Sequence, residues 1–182
     1  MNGAPRQIDG HLVLVGLPGA GKSTLGRQAA KRLGRPFLDF DKEIERRTGL
    51  SVSRIFAERG EAAFRSMEVE LTRELAAAPP MVLSPGGGWV TNEGVMALLR
   101  PPGRIIHLKV SPTEALRRIS RSRFVRPLLQ QADPAVKIQA LWEARAALYN
   151  MADAELNVEV LSTQRLTDCI VALAHEGTPE IG

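Results

Sequence analysis

The stretch Gly16-Leu-Pro-Gly-Ala-Gly-Lys-Ser-Thr24 decides the fold, because it matches the phosphate-binding pattern G-x-x-x-x-G-K-[ST]. An apolar run of strand length, His11–Val15, precedes it. Leu25, Ala29 and Leu33 follow it at the spacing of one helical face. A glycine turn that binds nothing is the alternative explanation, and the flanking strand and helix argue against it. The sequence therefore predicts a phosphate loop, Gly16–Thr24, between a strand and a helix.

Such a loop binds nucleotide phosphates for a direct physical reason. Glycines let the backbone curl so that consecutive N–H groups point at phosphate oxygens, and the helix N-terminus adds the positive end of its dipole. Lys22 is expected to reach the β- and γ-phosphates, and the Ser23 hydroxyl to ligate Mg²⁺. The predicted nucleotide contacts in the loop are Gly19, Ala20, Gly21, Lys22, Ser23 and Thr24.

The composition is that of an ordinary globular protein, with 44% hydrophobic and 24% charged residues among 182. This length predicts one domain, and a net charge of +4 suits anionic ligands without indicating nucleic acid. A single cysteine, Cys169, excludes an internal disulfide and fits a reducing compartment. No apolar run approaches the roughly 18 residues of a membrane span, and Met1–Gly10 lacks the apolar core of a secretion signal. We therefore expect a cytoplasmic protein without a membrane or nucleic-acid partner.

Strand-like and helical stretches alternate along the chain, which predicts an α/β fold with a mostly parallel sheet. The expected strands are His11–Val15, Phe37–Asp41, Met81–Ser84, Arg104–Lys109 and Leu156–Val160. The expected helices are Lys22–Leu33, Lys42–Arg47, Ser53–Arg59, Ala62–Ala77, Asn92–Leu99, one opening at Ser111-Pro112, one ending near Met151, and Leu166–Ala174. Residues 1–10 are expected to be a flexible lead-in, 11–176 the domain and 177–182 a tail. In such sheets ligands gather beyond the carboxyl ends of the strands.

Polar and glycine residues end two of these strands. Asp39 and Asp41 close the second, where a spacing of two puts both carboxylates on one face of an extended chain. A kinase needs one carboxylate to help hold Mg²⁺ and another to accept or orient the acceptor hydroxyl, although solvated carboxylates at a strand end are common. Gly86, Gly87 and Gly88 close the third strand. Three glycines predict close approach of a ligand, and a tight connection to the next helix is the alternative.

The remaining candidate site residues are arginines. Arg65 and Arg145 lie on largely apolar helical faces, where a buried aliphatic stem is the usual explanation. An acidic acceptor would need one or two such guanidinium forks. A second group comprises Arg117, Arg118, Arg121, Arg123 and Arg126. This group fits a solvated helix face or a mobile lid, whereas Phe124 is the only stacking residue available for nucleic acid. Trp89 and Trp142 are predicted to be packing residues.

Together these segments resemble the shikimate kinase family, from Leu12 to about Ala174. The resemblance rests on Gly16–Gly26, Gly34–Asp41, Arg47–Ser51, Ile55–Glu68, Ser84–Gly88, Arg126–Leu129 and Arg145–Tyr149. It implies a P-loop, nucleoside-monophosphate-kinase-like fold of three layers, with a five-stranded parallel sheet flanked by helices. It also implies ATP-dependent phosphorylation of the 3-hydroxyl of shikimate, which gives 3-phosphoshikimate and ADP on the route to chorismate and the aromatic amino acids.

The resemblance also implies a role for each candidate residue. Asp39 would lie in the Mg²⁺ shell, and Asp41 would contact the ring hydroxyls of shikimate as the candidate base. On the substrate side, Arg65 and Arg145 would bind the shikimate carboxylate. Gly86, Gly87 and Gly88 would line the substrate site, with Phe56 and Phe64 as its wall. On the nucleotide side, Arg126 would contact the phosphates and Arg118 the adenine. A substrate-binding segment is expected over about 41–77, a lid over about 120–133, and a monomer as the working form.

Two features depart from the family pattern, and two rivals remain. The stretch between Arg118 and Arg126 is about one residue longer than in the family pattern. Trp89 stands where a smaller residue is commoner, and the sequence leaves its effect on the pocket rim open. A gluconate or nucleoside monophosphate kinase would share the phosphate loop without the other motifs in this order. A nonenzymatic sensor with a kinase-like domain would carry a DNA-binding segment, for which Met1–Gly10 is too short, and could lose Asp41.

Overall fold

A single parallel sheet of five strands organises the described residues, 6–121 and 133–175, of the computed structural model. The strands are β1 (Leu12–Val15), β2 (Phe37–Asp39), β3 (Val82–Ser84), β4 (Arg104–Lys109) and β5 (Ala154–Asn157). Their order in the sheet is β2-β3-β1-β4-β5, and every neighbouring pair is parallel. Strands β1 and β3 are buried along their whole length. The predicted α/β fold with a five-stranded parallel sheet is confirmed.

Seven helices flank this sheet among the described residues. They are α1 (Lys22–Leu33), α2 (Phe40–Thr48), α3 (Val52–Ala76), α4 (Val95–Leu99), α5 (Pro112–Ser120), α6 (Pro134–Tyr149) and α7 (Thr163–Ala172). A 3₁₀ turn, Trp89–Thr91, lies between β3 and α4. Helix α1 packs against α7, α2 against α3, and α5 against α6. Because the strand order reverses beside β1, the loop after β1 opens into the crevice where ligands of such sheets bind.

Several elements begin and end where the local sequence predicted them. Helix α1 and strand β4 have the predicted bounds. Ser111 caps α5 by accepting a hydrogen bond from the Glu114 N–H at 3.2 Å, with Pro112 at the first helical position. The two helices predicted on either side of Gly60 are confirmed, because α3 consists of two helical segments joined at a kink where Gly60 has φ of 81° and ψ of 168°.

The second strand ends earlier than predicted, and this changes the setting of Asp41. The Asp39 carboxylate accepts a hydrogen bond from the Lys42 N–H at 3.4 Å and caps α2, so the chain turns into a helix at Phe40. Asp41 therefore lies in the first turn of α2. The prediction that Asp39 and Asp41 share one face of a strand is wrong.

The fifth strand and its flanking elements were also misplaced. Strand β5 ends at Asn157 instead of Val160, because the Asn157 side chain accepts from the Glu159 N–H at 2.9 Å and closes a turn. Val160 is 73% exposed, so its apolar character did not report a strand. Helix α7 begins at Thr163 because Ser162 caps it, and α4 is confined to its last five predicted residues by Gly94.

The described ends of the chain meet at one edge of the fold. The Ile8 N–H donates to the Ala174 carbonyl at 2.7 Å, and Gln7 pairs with His175 in an antiparallel bridge. Arg35 donates to the Ile8 carbonyl at 2.7 Å. Within the described ranges, no helix combines the length and the apolar character needed to cross a bilayer.

Gly26 offers a test of this packing. A methyl group there would lie 2.5 Å from Cε2 of Phe37 and 3.3 Å from Cδ1 of Leu14. Gly26→Ala should therefore lower the free energy of unfolding by about 1–3 kcal/mol, although alanine in an open helix position stabilises by about 1 kcal/mol. Urea unfolding measures the change, with exposed Lys31→Ala of the same helix as control. A variant as stable as the wild type would show that Phe37 moves aside freely.

Candidate active site

The phosphate loop leaves its N–H groups available at the start of α1. Gly19 and Gly21 have φ of 87° and 90°, a conformation that other residues adopt only with strain. Among the described residues no side chain caps α1, and its first turn carries no acidic residue, so the N–H groups of this turn can bind an anion. The Lys22 ammonium donates to the carbonyls of Gly16 at 2.9 Å and Leu17 at 3.2 Å, which keeps it inside the curl.

A hydroxyl and a carboxylate meet at the mouth of this loop. The Ser23 hydroxyl donates to Oδ2 of Asp39 at 2.6 Å. Ser23 belongs to the first turn of α1, and Asp39 ends β2. Mg²⁺ in such sites takes one or two protein oxygens and completes its shell with phosphates and water. The Ser23–Asp39 pair has the donor set that this ion requires.

The glycine loop, Gly86–Gly88, packs against both arginines predicted to hold a carboxylate. A Cβ at Gly88 would overlap the Arg65 guanidinium, and a Cβ at Gly87 would lie 3.3 Å from Nη1 of Arg145. Arg145 is 7% exposed on α6, and Arg65 is half-buried on α3. A side chain at Gly88 would have to displace the guanidinium from its bonds to Glu68 and Glu61. The structure thus brings two guanidinium groups from separate helices to one loop.

Asp41 reaches the same loop from α2, beside a buried carboxylate that the sequence did not single out. A Cβ at Gly86 would lie 3.1 Å from Oδ1 of Asp41 and 3.0 Å from Oε1 of Glu68. Glu68 is completely buried, and its Oε2 accepts from Nη1 of Arg65 at 2.6 Å and from Nδ2 of Asn92 at 3.2 Å. Its Oε1 has no hydrogen-bond partner among the described residues. The available signal was a glutamate one turn after an arginine on an apolar helical face.

The charges of this cluster are coupled. Burial raises the pKa of the Glu68 carboxyl; the Arg65 guanidinium opposes the rise, and the nearby Asp41 carboxylate adds to it. Burial lowers the pKa of Arg65, but its pairing with Glu68 and Glu61 outweighs that effect and raises it. Arg65 therefore remains a cation, and Glu68 is the group whose proton affinity the burial increases.

Aromatic residues support the cluster from two sides. The rings of Phe56 and Phe64 pack with centroids 5.0 Å apart, and the Arg65 guanidinium lies 5.6 Å from the Phe64 centroid. The Tyr149 hydroxyl donates to the Gly87 carbonyl at 3.1 Å. The Tyr149 ring stacks on that of His107 at 4.7 Å.

Trp89 is a core residue rather than part of the pocket rim. Its side chain is completely buried, lies edge-on to Phe40 with centroids 6.4 Å apart, and donates from the indole N–H to Oγ1 of Thr72 at 2.9 Å. The prediction that it is a packing residue is confirmed, because the 3₁₀ turn after Gly88 directs the indole into the core. Trp142, the other predicted packing residue, contacts the rings of His107 and Tyr149.

The nucleotide-side arginines are described only in part. Arg118 donates to Oε1 of Glu114 at 2.7 Å and to the Val158 carbonyl, after β5, at 2.9 Å. Helix α5, which carries it, contacts the phosphate loop, since a Cβ at Gly19 would lie 2.8 Å from the Ala115 carbonyl oxygen. Arg126 and the other residues of the predicted lid between 122 and 132 lie outside the described residues.

The raised pKa of Glu68 predicts a pH-dependent stability. The folded protein holds this proton more tightly than the unfolded chain, whose value is near 4.5. The stabilisation is complete below pH 4.5 and is lost as the pH rises through the folded-state value, by at most about 1.4 kcal/mol per pH unit.

Glu68→Gln removes this titration, so the difference in unfolding free energy, wild type minus variant, should fall as the pH rises from 4.5 toward neutrality. Urea unfolding at a series of pH values measures it, with Glu70→Gln, an exposed glutamate of the same helix, as the matched control. A difference that stays constant or grows would contradict the raised pKa.

Comparison with known proteins agrees with this geometry. The family model for shikimate kinase matches residues 18–174. A shikimate kinase of Paracidovorax citrulli is 46% identical over 76% of each chain, and one of Neisseria meningitidis serogroup C is 43% identical over 85% of this chain and 89% of its own. The structure of shikimate kinase from Acinetobacter baumannii in complex with shikimate superimposes with a TM-score of 0.83 at 36% identity, covering 90% of this chain and 92% of that one. The chain therefore belongs to the shikimate kinase family.

Proposed function

We propose that Lys22, Asp41, Arg65 and Arg145 carry out the reaction of this shikimate kinase, the transfer of the γ-phosphoryl group of ATP to the 3-hydroxyl of shikimate. The observation that carries the proposal is the arrangement around the glycine loop. The guanidinium groups of Arg65 and Arg145 and the carboxylates of Asp41 and Glu68 lie beside this loop, on three helices. They complement a small acid that also carries hydroxyl groups.

The nucleotide half would use the phosphate loop and the Ser23–Asp39 pair. The free N–H groups at the start of α1 would bind the phosphate oxygens. Lys22 would exchange its bonds to the Gly16 and Leu17 carbonyls for bonds to the β- and γ-phosphates. Mg²⁺ held by Ser23 and Asp39 would neutralise negative charge as it develops on the bridging oxygen.

The acceptor half would orient shikimate with its carboxylate between Arg65 and Arg145. The Arg65 guanidinium is already fixed by Glu68 through Nη1, so little conformational entropy is lost when another carboxylate binds. Its Nε and Nη2 donate to the exposed Glu61 at 3.2 and 2.8 Å, and the shikimate carboxylate would replace Glu61 there. Asp41 would accept the proton of the attacking hydroxyl, because its Oδ1 faces the glycine loop from the first turn of α2. Glu68 is the poorer base candidate, since one of its oxygens is committed to Arg65 and Asn92.

The remaining assignments complete this proposal. Residues 41–77 would form the substrate-binding segment, 120–133 the lid, Arg126 a contact to the phosphates and Arg118 one to adenine. The protein would work as a monomer in the cytoplasm, with ATP, Mg²⁺ and shikimate as its ligands and without nucleic acid. The single cysteine and the modest net charge of +4 support this setting.

Asp41→Asn tests both the reaction and the proposed base. The wild type should release ADP rapidly only with shikimate present. The variant should lose about 10²–10⁴ in turnover while keeping its ATP affinity, because the amide preserves the shape but cannot accept the proton.

A coupled ADP-release assay and calorimetry measure the two quantities. Asp168→Asn, a partly exposed aspartate of α7 paired with Arg32, is the matched control. ADP release that does not respond to shikimate would reject the reaction. Loss of ATP affinity in Asp41→Asn would instead place Asp41 on the nucleotide side.

Arg65→Lys and Arg145→Lys test the carboxylate assignment. Each keeps the charge but replaces a planar fork by a point donor. We expect the KM for shikimate to rise about 10- to 100-fold, the equivalent of one charge-assisted hydrogen bond of about 1.5–3 kcal/mol, with the KM for ATP little changed.

A shikimate analogue without the carboxylate supplies the decisive comparison for these variants. The analogue should be a poor substrate for the wild type, and its kcat/KM should fall little further with either variant. Arg54→Lys, an exposed arginine of α3 paired with Glu58, is the control. Equal losses with shikimate and with the analogue would show that neither arginine holds the carboxylate.

A further inference from the structure

We propose that Thr72 and Trp89 form a positioning pair that holds the glycine loop at a fixed distance from Arg65, and that this distance sets the affinity for the shikimate carboxylate. The inference rests on the proposed role of Arg65. Neither residue is one of the proposed substrate-binding groups, so both would act through their neighbours. Thr72 lies on α3 and Trp89 directly follows the loop.

On the α3 side of the positioning pair, three residues share one helical face. Arg65, Glu68 and Thr72 are spaced by three and four residues and so lie one above another along the helix. Thr72 is completely buried, and its hydroxyl donates to the Glu68 carbonyl at 2.7 Å. That donation orients the hydroxyl oxygen so that its free lone pairs can accept from the indole N–H of Trp89 at 2.9 Å.

On the loop side of the positioning pair, hydrogen bonds join the 3₁₀ turn to the glycine loop. The backbone N–H of Trp89 donates to the Gly86 carbonyl at 3.0 Å, and the Thr91 hydroxyl donates to the Gly88 carbonyl at 2.7 Å. Trp89 is therefore coupled to both ends of the glycine loop through short backbone links. Asn92, one residue past the turn, donates to Oε2 of Glu68 at 3.2 Å and adds a second bridge to α3.

The contact between Gly88 and Arg65 makes this distance critical. A single added carbon at Gly88 would overlap the guanidinium, so the loop and Arg65 lie in close contact. Without the Thr72 acceptor, the indole N–H would be buried and unpaired, which carries the desolvation cost of an unsatisfied donor. An outward shift of the turn would relieve that cost and carry Gly88 away from Arg65. Displacements well under 1 Å at a binding group are enough to reduce preorganisation measurably.

Thr72→Val tests the pair, because it keeps the size and branching of the side chain and removes the acceptor. We expect the KM for shikimate to rise about 3- to 30-fold, with turnover and the KM for ATP within about threefold of the wild type. Thr72→Ser, which retains the hydroxyl, should restore the wild-type KM. Thr167→Val is the matched control, since Thr167 is a buried helical threonine of α7 that donates to the carbonyl four residues earlier, at 2.8 Å, as Thr72 does.

Three outcomes would overturn the inference: an unchanged KM for shikimate in folded Thr72→Val, an equal rise in the two KM values, or failure of Thr72→Ser to restore the affinity. Trp89→Phe, which keeps the ring against Phe40 and removes the donor, should act in the same direction and serves if Thr72→Val does not fold. The analogue without a carboxylate separates the two hypotheses. A Thr72→Val effect of equal size on shikimate and analogue overturns this inference alone, whereas failure of the carboxylate assignment appears in the Arg65→Lys data.

Discussion

A carboxylate loses several kcal/mol of solvation when it is buried, and Glu68 is buried completely. Its ion pair with Arg65, at 2.6 Å, offsets this loss and is therefore a condition for packing α3 against the glycine loop. Replacing such a pair by apolar residues is often neutral for stability, so the pair is better understood as a device that fixes position. Here it holds one guanidinium against Gly88, with no space between them for a side chain.

The sheet brings the nucleotide half and the acceptor half of the site to one edge. Val13 of β1 is in register with Leu83 of β3, and Asp39 of β2 with Ser84 of β3. Because the strands are parallel, the phosphate loop, Asp39 and the glycine loop all leave the sheet at the carboxyl ends of neighbouring strands. The catalytic geometry therefore depends on strand order, which residues far apart in sequence determine through the shared core.

Features that depend on neighbours in sequence could be predicted, and those that depend on distant partners could not. The phosphate loop, α1 and the Ser111 cap of α5 are each specified within a few residues. The start of α2 was missed because Asp39 can end a strand and cap a helix at once, and sequence alone did not decide between these roles. The hydrogen bond from Trp89 to Thr72 spans 17 residues, and neither residue type identifies the other as its partner.

The two halves of the site are also held by different kinds of structure. The phosphate loop relies on backbone N–H groups and on glycine conformations, and any kinase with this loop can share them. The glycine loop is held from α3 through Trp89 and from α6 through the Tyr149 hydroxyl on the Gly87 carbonyl. Because Arg65 and Arg145 project from these same two helices, the elements that hold the loop also set the separation of the guanidinium groups. If these arginines bind the acceptor carboxylate as proposed, selectivity for an acidic acceptor would depend on how the two helices hold this loop, rather than on either arginine alone.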